Sequence, residues 1–278
     1  MNKQVRSFLQ VCSLLLLLFA CVTPVAYADD PPAFRLVPAS SLPDESPLKY
    51  ADSKRVMVTF QTTPEALRLL VPPPLVPNPG SIVMIYAAEW RAAGYQDWEY
   101  NDPGGIFLEV ALCVPVKFEN TVGVYAVTLY LDKASRLPMS REIWGFPKKA
   151  ADIAFVEKDG KVMSTAGING TTIVKLSFDR AERVEPVPVL PPSNVFTLKR
   201  IPSIRKDAPP DVLQLTSTPT NYMVKQCWRG KAALELNDLP TEPTGSIPVV
   251  KIVSANYMIL EGAIGYGDVL YDYLLNRR

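Results

Sequence analysis

The chain has 278 residues, 48% of them hydrophobic, with 29 Lys and Arg against 28 Asp and Glu for a net charge of +1. That is enough apolar material for a full core, and so even a balance without a basic block argues against nucleic acid as the main ligand. The sequence contains no histidine, which excludes Ser-His-Asp and Cys-His catalysis and removes the commonest metal ligand.

No Cys-x-x-Cys occurs either, so zinc is not expected, and the chemistry must run on Lys, Glu, Asp, Tyr or Arg. Residues 1–28 have the three-part layout of a secretory signal. Lys3 and Arg6 precede the apolar run Leu14–Leu18, and Ala26-Tyr27-Ala28 offers small residues before a cut. The apolar run is too short to span a bilayer comfortably. Cleavage near Ala28 is expected, with export to the periplasm or beyond and a mature domain of residues 29–278. No other stretch is long and apolar enough to cross a membrane. Of the cysteines, Cys113 and Cys227 remain; in an oxidising compartment they could pair, but two buried thiols is the plainer reading.

Residues 29–50 read as an extended lead-in. Arg55–Phe60 alternates as a strand does, and Thr63-Pro64-Glu65 then opens a short helix as cap, first helical residue and dipole partner. Pro72-Pro73-Pro74 stops it. Strands are predicted at Ile82–Trp90, Ile106–Lys117, Val122–Asp132 and Ala151–Val156, with tight hairpin turns at Asp159-Gly160 and Asn169-Gly170. Residues 186–192 form an extended proline-rich segment. Further strands are predicted at Val212–Leu215, Tyr222–Trp228, Ala232–Leu236 and Val249–Leu260, and a closing helix at Asp268–Asn276. Gly265-Tyr266-Gly267 lacks the third glycine of a dinucleotide-binding turn, so no cofactor is implied. The pattern describes one α+β domain, mainly antiparallel β, with room for a closed barrel.

Arg141-Glu142-Ile143-Trp144-Gly145-Phe146-Pro147-Lys148-Lys149 is the most informative stretch. Gly145 permits a sharp turn and Pro147 keeps Phe146 out of helical angles, so Lys148 emerges from a stiff bend with Trp144 and Phe146 able to wall it. A lysine amine is almost wholly protonated near neutrality, and only the neutral form attacks a carbonyl. A dry aromatic pocket disfavours the charge. Lys149, on the opposite side of an extended pair, would act at about 10 Å, worth under roughly 2 kcal/mol at an effective dielectric of about 20.

This motif resembles the signature of the acetoacetate decarboxylase family, and it follows Leu129-Tyr130-Leu131-Asp132 at the family's spacing. Ala66-Leu67-Arg68 through Leu75, Glu109 ahead of Pro115, Trp228-x-Gly230, Leu236 to Pro240 and Tyr271-Asp272-Tyr273-Leu274 match in order. The resemblance implies an acetoacetate-decarboxylase-like β-barrel with a flanking sheet and short helices, assembled as a homo-oligomer. It also implies a lyase that decarboxylates a β-keto acid, a small-molecule substrate, through a Schiff base. Lys148 would form the imine, Lys149 would help to activate it, and Glu109 would shuttle a proton or orient the substrate.

The family's substrate-side arginine falls on Ser53, with Lys54 and Arg55 nearby, and its second pocket glutamate falls on Ile85, beside Tyr86 and four residues before Glu89. The loop between Ala92 and Gly105, with Tyr95, Trp98 and Tyr100, is longer than in the decarboxylase. These departures keep two rivals open: a Schiff-base aldolase or dehydratase acting on a 2-oxo acid, and a non-catalytic binder of a carbonyl compound.

Overall fold

Strand dominates because the sequence is built of Val-, Ile- and Tyr-rich runs broken by turn residues. A computed structural model describes residues 48–93, 105–191 and 193–275, all within one compact unit, Ala39–Arg278. The expected signal segment and the aromatic residues Tyr95, Trp98 and Tyr100 lie outside the described residues. Among the described residues, thirteen strands form one hydrogen-bonded sheet. They are β1 (Leu48–Gln61), β2 (Val76–Pro77), β3 (Ile82–Ala93), β4 (Gly105–Phe118), β5 (Thr121–Leu131), β6 (Lys148–Ala150) and β7 (Asp152–Lys158). After these come β8 (Lys161–Ile168), β9 (Thr171–Arg183), β10 (Ser193–Ile201), β11 (Val212–Leu236), β12 (Lys251–Ile264) and β13 (Asp268–Asp272). Two short helices, α1 (Pro64–Leu70) and α2 (Leu137–Glu142), accompany them. The expected α+β, mainly antiparallel class is what the chain adopts.

Following the pairings, β10, β5, β4, β3, β1, β12 and β11 are neighbours in turn, and β11 pairs back onto β10. All of these ladders are antiparallel except β5–β10. The path therefore returns to its start, and alternate side chains of each strand face its two sides. One side carries a cluster with Trp90, Phe107, Leu129, Phe146 and Leu260. The other carries the larger cluster of Val56, Phe60, Ile85, Leu112, Tyr130 and Phe178, covered by α1 and by the β7–β8–β9 sheet. The long β11 joins the two regions, pairing with β10 and β12 along its first part and with β9 over Trp228–Leu236.

The hairpin turns fall where expected: Asp159-Gly160 connects β7 to β8 and Asn169-Gly170 connects β8 to β9, all four residues at positive φ. Thr63 caps α1 by accepting from the Ala66 amide at 3.2 Å, and Pro64 opens the helix. The expected closing helix is a correction. Asp268–Asp272 is a strand, with Ser217 opposite Asp268 and Leu215 opposite Tyr271, and only a turn follows to Leu275. Four apolar residues in so short a run suit either period; the open edge of β11, offering unpaired backbone groups, decides for strand. Asn276 lies outside the described residues. Gly265-Tyr266-Gly267 thus leads into a strand, and a Cβ at Gly267 would sit 2.1 Å from the Ser217 carbonyl oxygen.

The bend before β6 depends on Gly145, whose φ is +73°; a Cβ there would lie 2.5 Å from Lys199 Cβ and 2.7 Å from its Cα. Gly145→Ala is expected to destabilise the fold by at least about 1 kcal/mol, read as a lowered denaturant midpoint, because strain and a backbone clash act together. Cys113 and Cys227 are both free and buried. Burial, with a smaller push from Glu109, raises the Cys113 thiol to about 12, and burial raises Cys227 too. Alkylation followed by mass spectrometry at neutral pH should leave both unmodified in the native protein and label both after denaturation.

Candidate active site

The side of the sheet that carries the Trp90, Phe107 and Phe146 cluster holds a cavity of about 280 Å³, lined by alternate residues of β1, β3, β4 and β5. Lys148 and Glu109 meet there. Glu109 sits on β4 opposite Leu131 of β5, and Lys148 on β6 opposite Leu129 of the same strand, so the two flank β5 and converge over it. Lys148 Nζ lies 2.8 Å from Glu109 Oε2, with both residues buried. The contact has ion-pair distance, but Oε2 has no aligned hydrogen-bond donor. The other oxygen, Oε1, accepts from the Tyr86 hydroxyl at 2.6 Å and from Trp90 Nε1 at 3.1 Å. Two fixed donors hold one carboxylate oxygen and leave the other facing the amine. The Phe107 and Phe146 rings lie 5.7 and 5.5 Å from Nζ.

Burial first, and the Glu109 charge second, push the Tyr86 hydroxyl well above its ordinary range. Tyr222 is raised to about 12 by burial, against an opposing pull from Arg55. Both phenols therefore stay protonated near neutrality, and Tyr86 remains a donor to the carboxylate.

The local chain explains the amine's position. α2 ends at Glu142, and the Phe146 amide donates back to the Ser140 carbonyl at 3.1 Å. Trp144 does not wall the cavity: its indole donates to the Gly265 carbonyl at 2.6 Å while its own carbonyl accepts from Thr197 and Thr216. It braces Phe146, 5.9 Å away between ring centres, and Phe146 lines the cavity. Lys149 is not brought to the cavity. Adjacent strand residues face opposite sides, and its Nζ lies 2.5 Å from Glu242 Oε1, with Tyr130 donating to Oε2 of that same carboxylate at 2.9 Å.

Arg55 is the cation that sequence reasoning only placed nearby. It is buried, lines the cavity, and its guanidinium carbon lies 5.3, 5.5 and 5.9 Å from the Tyr222, Tyr86 and Trp90 ring centres. Its Nε has no hydrogen-bond partner. Ser53 spends its hydroxyl on the Arg91 amide, and Lys54 pairs with Glu157 at 3.0 Å, so neither reaches the cavity. Ile85 faces the other cluster, and Glu89 pairs with Arg91 at 2.6 Å. Tyr86 and Trp90 were legible as strand residues, and counting by two along β3 from Tyr86 would have put both on Glu109's side. Among the described residues, no group of His, Cys, Asp or Glu is arranged to hold a metal ion.

The family model described as acetoacetate decarboxylase (ADC) matches residues 31–274. The acetoacetate decarboxylase of Burkholderia cenocepacia is 30% identical over 238 residues, covering 82% of this chain and 90% of that one. The crystal structure of acetoacetate decarboxylase from Legionella pneumophila superposes with a TM-score of 0.74 at 24% identity, over 88% of this chain and 94% of that one. The enduracididine biosynthesis enzyme MppR, complexed with the condensation product of pyruvate and imidazole 4-carboxaldehyde, gives a TM-score of 0.70 at 20% identity, over 84% and 92%. At these identities the two structures speak for the fold alone. The match of the family model over nearly the whole described chain, on top of the curated relative, means that this chain belongs to the acetoacetate decarboxylase family.

Proposed function

We propose that the protein decarboxylates a β-keto acid through a Schiff base on Lys148. The observation that carries this reading is the 2.8 Å contact between Lys148 Nζ and Glu109 Oε2 inside an apolar cavity. Direct contact gives the ammonium proton a destination: passed to Glu109, it leaves a neutral amine with a free electron pair. The amine adds to the substrate ketone, and the resulting carbinolamine loses water, with Glu109 returning a proton to the departing oxygen. The protonated imine then accepts the electron pair of the C–C bond as carbon dioxide leaves. Protonation of the enamine carbon and hydrolysis release the ketone and restore the amine.

Arg55 is the group suited to drawing in the substrate carboxylate, since it is a cation in the same cavity with Nε unengaged. Tyr86 and Trp90 are positioning residues that act through Glu109. Lys149, tied to Glu242, is a positioning residue as well, through the strand it shares with Lys148. The ring of pairings supports a closed barrel as the scaffold. Export after cleavage near Ala28, and a homo-oligomeric assembly, complete the proposal on the strength of the sequence pattern and of the family.

A Schiff-base aldolase acting on a 2-oxo acid is the second reading, favoured by MppR, whose fold is shared and which is complexed with a pyruvate condensation product. Both share the imine, so product analysis separates them: carbon dioxide release marks the lead reading, aldol product without it the second. Borohydride added with a β-keto acid should fix the substrate carbon skeleton on Lys148, seen as a mass increment on the peptide containing it and lost in Lys148→Ala. Wild-type protein that gains no increment would leave only a binder. Glu109→Gln keeps the acceptor oxygen but cannot take the proton; its kcat for carbon dioxide release should fall by about 10²–10⁴. An undiminished kcat would remove Glu109 from the proton path.

A further inference from the structure

Resting on the imine reading above, we propose that the substrate is a β-keto acid bearing a bulky apolar substituent beyond its ketone, and that acetoacetate itself is a poor fit. The cavity measures about 280 Å³. An apolar protein cavity of about 150 Å³ accommodates benzene, so this one has room for roughly twice that many non-hydrogen atoms, whereas acetoacetate hardly exceeds benzene in size. The apolar part of the cavity wall includes Met57, Met84, Val124, Ala126, Leu129 and Val195.

Among the described lining residues the cations are Arg55 and Lys148, and the mechanism occupies both, one with the carboxylate and one with the imine. Of the hydroxyl-bearing residues on the wall, Tyr86 already donates to Glu109, and Thr220, opposite Ser193 across β10 and β11, donates through Oγ1 to the Ser193 carbonyl at 3.1 Å. A second anionic group on the substrate would therefore be buried without a third cation among the described lining residues, which is unfavourable. An apolar substituent, by contrast, would cover apolar wall and release water from it. Tyr50, Leu190 and Tyr222 line this cavity and also a second one of about 780 Å³, whose wall holds Val187 and Val189 together with Lys49 and Glu261.

The small side chain that leaves the space open can be tested directly. Ala126 lies on β5 opposite Cys113 and is buried on the cavity wall. The full-length protein would be assayed for carbon dioxide release with acetoacetate, butyrylacetate, hexanoylacetate and benzoylacetate, each also trapped with borohydride. The expected kcat/KM rises by roughly fourfold per added methylene, the equivalent of burying one CH₂ group, and benzoylacetate exceeds acetoacetate by about tenfold or more. Ala126→Leu should lower the ratio of hexanoylacetate to acetoacetate several-fold. Val195→Phe serves the same purpose should the first variant fail to show a cooperative thermal transition. A kcat/KM that is flat or falls with chain length, with acetoacetate still trapped on Lys148, overturns the substrate class and leaves the imine reading standing. No adduct with any of the four overturns the imine reading, and the substrate class falls with it.

Discussion

The site is organised by a pair of opposite charges held in a largely apolar cavity, Lys148 and Glu109 at 2.8 Å. Such a pair contributes little net stability, because removing two ions from water costs about as much as their attraction returns. Removing one partner is another matter: a lone buried charge costs about 3–5 kcal/mol. The rest of the cavity follows from this asymmetry. Tyr86 and Trp90 satisfy the second carboxylate oxygen, and the Phe107 and Phe146 rings offer their faces to the ammonium. The arrangement is stable only while both charges remain or while the proton has moved from one to the other, and the second condition is the state from which the proposed reaction starts.

Much of this was legible in the sequence where a local rule fixes the backbone. The capped start of α1 and the Asp159-Gly160 and Asn169-Gly170 turns each follow from one or two residues whose allowed φ is narrow. Gly145 and Pro147 likewise fix the bend that delivers Lys148, and the family motif pointed to Glu109 as its pocket mate. The alternation of strand residues also gave Lys148 and Lys149 opposite sides.

Other features needed the tertiary structure. Asp268–Asp272 carries spacing compatible with a helix, and what makes it a strand is an edge of β11 more than fifty positions earlier. β10 and α2 have no strong local signature of their own. Arg55 lies beside the position that the family resemblance points to, but choosing it over Ser53 and Lys54 requires knowing which side of β1 faces the cavity, and the shift in the β1–β12 ladder between Tyr50 and Ser53 disturbs a simple count. Trp144 was expected to touch the amine's surroundings, and instead it acts one layer out. A buried indole needs an acceptor for its N–H, and the Gly265 carbonyl supplies one.

The attachment of Lys149 to Glu242 carries a mechanical consequence. β6 is only three residues long and has a single hydrogen-bonded neighbour strand, β5, so its own ladder gives weak resistance to twisting about the strand axis. Any roll that withdrew Lys148 from the cavity would swing Lys149 the other way and pull it off a carboxylate that Tyr130 also grips. Two consecutive lysines thus work as a lever pinned at one end: the outward charge is the rivet, and the inward amine keeps its aim because of it.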